Sequence, residues 1–229
     1  MPSSLNPAGL DPAAVKAGYE HYRRGDFAAA YQCWLPAAEA GDAEAQAWIG
    51  TLHECGEGVA QSYAEAFRWY LQSAEAGNIL AQNNVGAMYG MGRGVTRDDM
   101  KAAEWLERAA TQGDTNAMFN LAVFHAKGRG VAVDMARAVE WYTRASHLGH
   151  APSQARLGYL YCGNDGVAKD RISAFVWLSL AGNHGAGNAL NALEPIVDQM
   201  SVEEKEAAHR RLAAFRPAAV GATAQGAPA

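Results

Sequence analysis

The residues best suited to recognition chemistry stand one period apart: Trp48, Asn84, Asn120 and Arg156, at intervals of 36 residues. An asparagine amide holds a donor and an acceptor side by side, so a column of them suits the backbone of an extended peptide. Arg156 adds a planar fork for a carboxylate, and Trp48 an apolar anchor. Asn83, Asn116, Phe119 and Tyr159 adjoin the column and would extend it. A solvated helix face also carries Asn and Arg, and Trp48 would equally suit packing under an N-terminal cap. Phe119, Val123 and Phe124 cannot all face one buried side at helical spacing, which points to an apolar patch around them.

Catalytic chemistry has no comparable pattern. Gly90-Met91-Gly92-Arg93-Gly94 superficially suggests a phosphate loop, but such a loop follows a strand, whereas this one follows a helical stripe and recurs as a turn. His147, His150 and His184 are expected near one another, without the carboxylate or cysteine that would complete a metal site. His53 and His125 fill the slot of Tyr89 and Tyr161 and read as core aromatics with a polar edge. No nucleophile stands beside a recognisable base. A non-enzyme with no catalytic residue, metal or cofactor is expected. Cys33, Cys55 and Cys162 are odd in number and lack metal or redox spacing, which favours a reducing compartment. Adjacent helices would permit a bridge between Cys33 and Cys55.

The elements that position these residues are set by a repeat. Trp34, Trp69, Trp105, Trp141 and Trp177 are spaced by 35, 36, 36 and 36 residues. A fixed period of this length marks a supersecondary unit that buries its apolar face only by stacking on copies of itself. Four units, 42–77, 78–113, 114–149 and 150–185, align. Each opens with a helix whose apolar stripe runs through Ala45, Ile49 and Leu52 and their counterparts. Each such helix ends at a glycine turn, Gly56-Glu57-Gly58-Val59, Gly92-Arg93-Gly94-Val95, Gly128-Arg129-Gly130-Val131 or Asn164-Asp165-Gly166-Val167. Ser62, Asp98, Asp134 and Asp170 then cap a second helix, which carries the tryptophan and ends near Gly77, Gly113, Gly149 and Gly185. Asp42, Asn78 and Asp114 cap the first helices. Gly50, Gly86 and Gly158, inside those helices, are expected to admit close approach, with the tryptophans as their steric complement.

The fold class expected is all-α, an α-solenoid of antiparallel helix pairs. Residues 11–41 are expected to form a shorter N-terminal capping pair. Residues 186–215 are C-terminal capping helices, with a capping box at Ser201-Val202-Glu203-Glu204. Residues 1–10 and 216–229 are expected to be disordered.

Composition narrows the partners. The 229 residues carry a net charge of −5, and neither that charge nor any run of Lys or Arg suits phosphate backbones or anionic lipid. No nucleic-acid partner and no membrane insertion are expected. The chain reads as cytoplasmic, or as periplasmic or secreted if a leader has been removed.

Ala81-Gln82, Val85-Gly86, Met88-Tyr89, Gly92-Arg93-Gly94-Val95, Asp98, Lys101-Ala102, Glu104-Trp105 and Ala109-Ala110 through Gly113 closely resemble the Sel-1-like repeat, a longer relative of the tetratricopeptide repeat. The four copies cover 42–185, with a tetratricopeptide-like half-match before them in the capping pair 11–41; Ala122 and Asn164 for glycine and His150 for an acidic cap are mild departures. The resemblance implies a right-handed α-superhelix that acts as an adaptor, holding a protein or peptide on its concave face. Many bacterial members are exported, often as lipoproteins, and this sequence lacks their lipidation cysteine near the start. One cysteine-rich branch is linked to β-lactam binding or hydrolysis, so a hydrolase or binder of cell-wall-like small molecules is the alternative. That branch has paired cysteines in every repeat, which are missing here.

Overall fold

Each of the five periodic tryptophans, Trp34, Trp69, Trp105, Trp141 and Trp177, lies in the second helix of a pair. The computed structural model describes residues 12–163 and 166–215, and among these every regular element is helical. The chain divides into two compact units, Met1–Asp114 and Thr115–Ala229. The first holds three pairs: α1 (Pro12–Arg23) with α2 (Phe27–Glu39), α3 (Ala43–Cys55) with α4 (Tyr63–Glu75), and α5 (Ile79–Met91) with α6 (Asp99–Thr111). The second holds α7 (Thr115–Lys127) with α8 (Met135–His147) and α9 (Ala151–Tyr161) with α10 (Arg171–Asn183). It is closed by α11 (Gly187–Asn191), α12 (Leu193–Asp198) and α13 (Val202–Ala214). The expected segments 1–10 and 216–229, and the turn residues Asn164 and Asp165, lie outside the described residues.

Local chemistry sets the boundaries. The Ser62, Asp98, Asp134 and Asp170 side chains accept backbone N–H groups from the first turns of α4, α6, α8 and α10, donors that would otherwise lack a partner. Asp42 and Asn78 do the same for α3 and α5. Ser201 and Glu204 form the reciprocal capping box of α13. Helix α9 is shorter: it closes on Gly163, whose φ is 94°, one residue ahead of the expected Asn164.

In the glycine turns the second glycine does more than reverse the chain. At Gly94 a Cβ would lie 2.0 Å from the Tyr63 carbonyl oxygen, because the turn leaving α5 rests directly on the start of α4. Gly58 rests in the same way on Phe27 and Ala28 at the start of α2.

The small residues inside the first helices do face large ones, but the partner differs from the one expected. A Cβ on Gly50 would meet Tyr70, one on Gly86 Leu106, and one on Gly158 Leu178. Each partner is the residue after the tryptophan. One residue turns a helix by about 100°, enough to exchange which side chain meets the neighbour. In α1 and α2 a tryptophan does fill the slot: a Cβ on Gly18 would fall 2.2 Å from Trp34 Nε1.

The first unit buries Trp34, Ile49, Leu52 and Trp69 in one cluster and Tyr70, Val85 and Met88 in another, with half-buried Trp105 against the latter. In the second unit Leu178, Ile196, Met200 and Ala208 join α10 to its terminal helices. Glutamines tie pair to pair: Gln46 Nε2 donates to the Ala38 carbonyl at 3.0 Å, Gln82 to Ala74 at 3.2 Å and Gln154 to Ser146 at 3.0 Å. Each quenches a carbonyl near the end of the preceding helix. Cys33, Cys55 and Cys162 are free thiols.

Candidate functional site

Helix α7 places Phe119, Val123, Ala126 and Lys127 along one stripe, since offsets of four and seven or eight residues return to the same face. The Gly128–Gly130 turn leads to α8, whose first residue is Met135 and whose Tyr142 lies two turns further on. Helix α9 contributes Arg156. These seven side chains line a recess of about 540 Å³ within the second unit. This is the apolar patch that the Phe119, Val123 and Phe124 spacing implied. Phe124 itself turns inward and is 5% exposed, with the Arg129 guanidinium 4.4 Å from its ring.

Phe119 is fixed by two ring contacts, to Tyr142 at 5.5 Å and to His150 at 5.6 Å between centroids. Tyr142 is 1% exposed. Burial pushes its hydroxyl above the ordinary tyrosine range, and the Arg156 guanidinium, which hydrogen-bonds to it, offsets part of that rise. Lys127 ends α7, where the helix dipole favours a cation, and it makes no ion pair among the described residues. The lining holds two cations and no carboxylate. Arranged in this way, the recess can receive an apolar side chain and attract an anion at its rim, but it offers no nucleophile with a base.

Of the column read from sequence, the first unit holds Trp48, Asn83 and Asn84. Trp48 is half-buried among aromatic rings: it stacks on Trp34 at 5.2 Å, meets Tyr19 and Tyr22, and donates its Nε1 hydrogen to the Tyr19 hydroxyl at 2.7 Å. Tyr19 in turn donates to Glu44. Asn83 is 9% exposed. Asn84 is half-buried, and its amide has no partner among the described residues. In the second unit Asn120 is half-buried and Asn116 exposed, with Asn116 Oδ1 3.3 Å from His150 Nε2. Tyr159 donates its hydroxyl to the Asn188 carbonyl at 3.0 Å, so its ring braces α11. Phe119 and Arg156 thus share the recess, while Trp48 and Tyr159 are engaged with the protein's own elements.

Sequence reasoning did not single out Ala126, Lys127, Met135 or Tyr142. Lys127 was accessible to it: the helix flank through residues 48, 51 and 55 meets Lys127 when carried 72 residues on. Met135 and Tyr142 come from the second helix, whose rotation toward the recess has no signature in a single helix's periodicity.

A smaller recess of about 240 Å³ lies among Tyr161, Cys162, Ala174, Pro195 and Ile196, beside Lys169 and Arg171. Its cations are occupied: Lys169 donates to Gln199 at 3.0 Å and Arg171 to Glu204 at 3.3 Å. Each of the three histidines has its own partner. His150 pairs with Ser153, His184 with Gln154, and His147 stacks on Phe215. No three His, Cys, Asp or Glu side chains among the described residues gather to hold a metal ion. No described helix is long and apolar enough to cross a membrane.

Comparison with known proteins agrees with this architecture. The family model described as "Sel1 repeat" matches residues 12–42, 43–78, 79–114, 115–150 and 151–185, so it takes in the first pair, set apart in sequence as tetratricopeptide-like. A Sel1 repeat protein from Oxalobacter formigenes is 28% identical over 86% of this chain and 84% of its own, with a TM-score of 0.76. A protective antigen of uropathogenic Escherichia coli that displays an SLR fold is 29% identical over 90% of this chain, which spans 54% of it, with a TM-score of 0.56. The immunity protein Pa5087 from Pseudomonas aeruginosa shares the fold at 22% identity over 81% of this chain and 70% of its own, with a TM-score of 0.55. No curated protein matches the sequence.

Proposed function

The chain belongs to the Sel1 repeat family, and we propose that it is a non-catalytic interaction scaffold that holds a peptide or protein segment against the exposed flank of its first helices. The observation that carries this reading is the recess of the second unit: Phe119, Val123, Ala126 and Met135 leave apolar surface open to solvent, with Arg156 and Lys127 beside it. An apolar centre with a polar rim is the usual anatomy of an interaction surface. The Asn84 amide, which has no partner among the described residues, offers a separate grip in the first unit. Trp48 and Asn83, largely covered by their neighbours, lie outside the surface proposed here. The hydrolase alternative rests on a cysteine-rich branch, and three unbridged thiols give it no support here.

The test is site-specific photo-crosslinking. A benzophenone side chain at Val123 should capture a defined set of proteins from a native lysate, and the same group at exposed Glu140, outside the recess, should not. Equal adducts from both sites, or none from Val123, would exclude the recess as the docking surface.

A further inference from the structure

Corresponding residues of α3–α4 and α7–α8 differ by 72 in number, and the difference between the two copies is chemically specific. In the first copy Tyr70 donates its hydroxyl to Glu54 Oε2 at 3.0 Å and shares a 3.0 Å hydrogen bond with Thr51 Oγ1. A carboxylate of the chain itself therefore lies against that tyrosine. In the second copy the tyrosine is kept as Tyr142, while Ala126 replaces Glu54, Val123 replaces Thr51 and Phe119 replaces Ala47. Lys127 replaces Cys55, and Arg156, from the helix that follows, stands where α5 has Asn84. The carboxylate has been removed, apolar surface has been added, and two cations border the space.

We propose that the recess accepts a partner segment that inserts a large apolar side chain and sets an Asp or Glu carboxylate beside it, in the place that Glu54 fills in the α3–α4 pair. The inference rests on the scaffold reading above and names the chemistry of its partner. Charge complementarity carries it. On a chain of net charge −5 this lining holds two cations and no acid. A neutral occupant would strip water from the Lys127 ammonium without giving it a counter-charge, which is costly, and a basic one would be repelled. The Arg156 guanidinium stands near the Tyr142 hydroxyl at the edge of the recess, and guanidinium–carboxylate pairs are among the stronger polar contacts. The volume of about 540 Å³ falls within the roughly 300–1,000 Å³ of ligand clefts, enough for a side chain with its neighbour.

The experiment is panning of a random 12-residue peptide display library on the full chain, followed by affinity measurement of enriched peptides by fluorescence polarisation. Expected is a motif with Asp or Glu within two residues of Leu, Met or Phe. Its affinity should fall at least about tenfold, the value of one charge-assisted hydrogen bond, in Lys127→Glu and in Arg156→Glu. Ala126→Glu, which returns the chain's own carboxylate to the slot, should reduce binding by a similar factor. Lys127 is exposed, so its variant keeps the test meaningful if Arg156→Glu disturbs Tyr142; circular dichroism verifies each fold. Peptides without an acid, or peptides sensitive to Phe119→Ala but to none of the charge variants, would overturn this inference and leave the scaffold reading standing. Failure to enrich any peptide sensitive to Phe119→Ala would overturn both.

Discussion

The contact between Gly18 and Trp34 yields a prediction whose sign depends on background. Trp34 is fully buried, stacks on Trp48 at 5.2 Å, meets Tyr19 edge-on at 5.5 Å and donates its Nε1 hydrogen to the Val15 carbonyl at 3.0 Å. Trp34→Ala removes all of this and should cost about 3–5 kcal/mol. Gly18 lies inside α1, where alanine would ordinarily gain ~1 kcal/mol in helix propensity. Its Cβ, however, would fall 2.2–2.6 Å from three atoms of the indole, a rigid ring that cannot fold away. Overpacking of this kind costs about 1–3 kcal/mol, so Gly18→Ala alone should be neutral to destabilising by about 2 kcal/mol. In the Trp34→Ala background the obstruction is gone, and the same substitution should stabilise by about 1 kcal/mol. The coupling between the two sites is thus about 1–3 kcal/mol. Urea unfolding of the four variants by far-ultraviolet circular dichroism measures it, with hydrogen exchange confirming that the change lies in α1 and α2. Equal stabilisation by Gly18→Ala in both backgrounds would refute the steric argument.

Three further outcomes follow from the same contacts. Trp105 is half-buried, with the Arg108 guanidinium 4.4 Å from its ring, so Trp105→Ala should cost clearly less than Trp34→Ala in urea unfolding, because it opens to solvent rather than leaving a sealed void. Gly94→Ala meets both a φ of 69° and the Tyr63 carbonyl, whereas Gly77→Ala meets a φ of 94° in open space; losses above about 2 and near 1 kcal/mol are expected, with thermal melts giving the order. At Asp170, burial raises the carboxyl, but hydrogen bonds from the Ser173 hydroxyl and backbone and the Arg211 charge outweigh it and hold the group below the usual range. Its stabilisation is therefore complete above the unfolded value of about 4 and lost as pH falls through the lower folded value. Asp170→Asn should accordingly flatten the acid limb of the stability–pH curve, and an unchanged limb would remove Asp170 as its source.

What could be read from sequence was what short-range chemistry decides. Asp98 and Ser62 cap their helices because a short polar side chain can reach its own first turn, whatever the rest of the molecule does. Gly86 was legible as a point of close approach for a similar reason: a recurrent glycine inside a helix needs a packing cause. Its partner was not legible, since choosing Leu106 over Trp105 depends on how α6 is rotated against α5, and periodicity within either helix leaves that angle open. The same limit hid Met135 and Tyr142, which enter the recess from α8. It also left undecided whether Trp48 faces a partner or packs inward, because Tyr19 and Tyr22 reach it from more than 25 residues away.

Averaging over repeats also favours fold over function. Aligning the copies brings out whatever they share: the cap, the glycine turn and the tryptophan. A binding site on such a scaffold is written in the positions where one copy departs from the others, and these are discounted when a consensus is sought. The tyrosine at positions 70 and 142 is shared, and it is the exchange of Glu54 for Ala126 and of Cys55 for Lys127 around it that turns a self-satisfied hydrogen bond into an open, cation-bordered recess. If the first of these exchanges sets specificity, Ala126→Glu should weaken acidic-peptide binding about tenfold while leaving the melt of the second unit almost unchanged, because Glu54 beside Tyr70 shows that the slot holds a carboxylate without disturbing the helix pair.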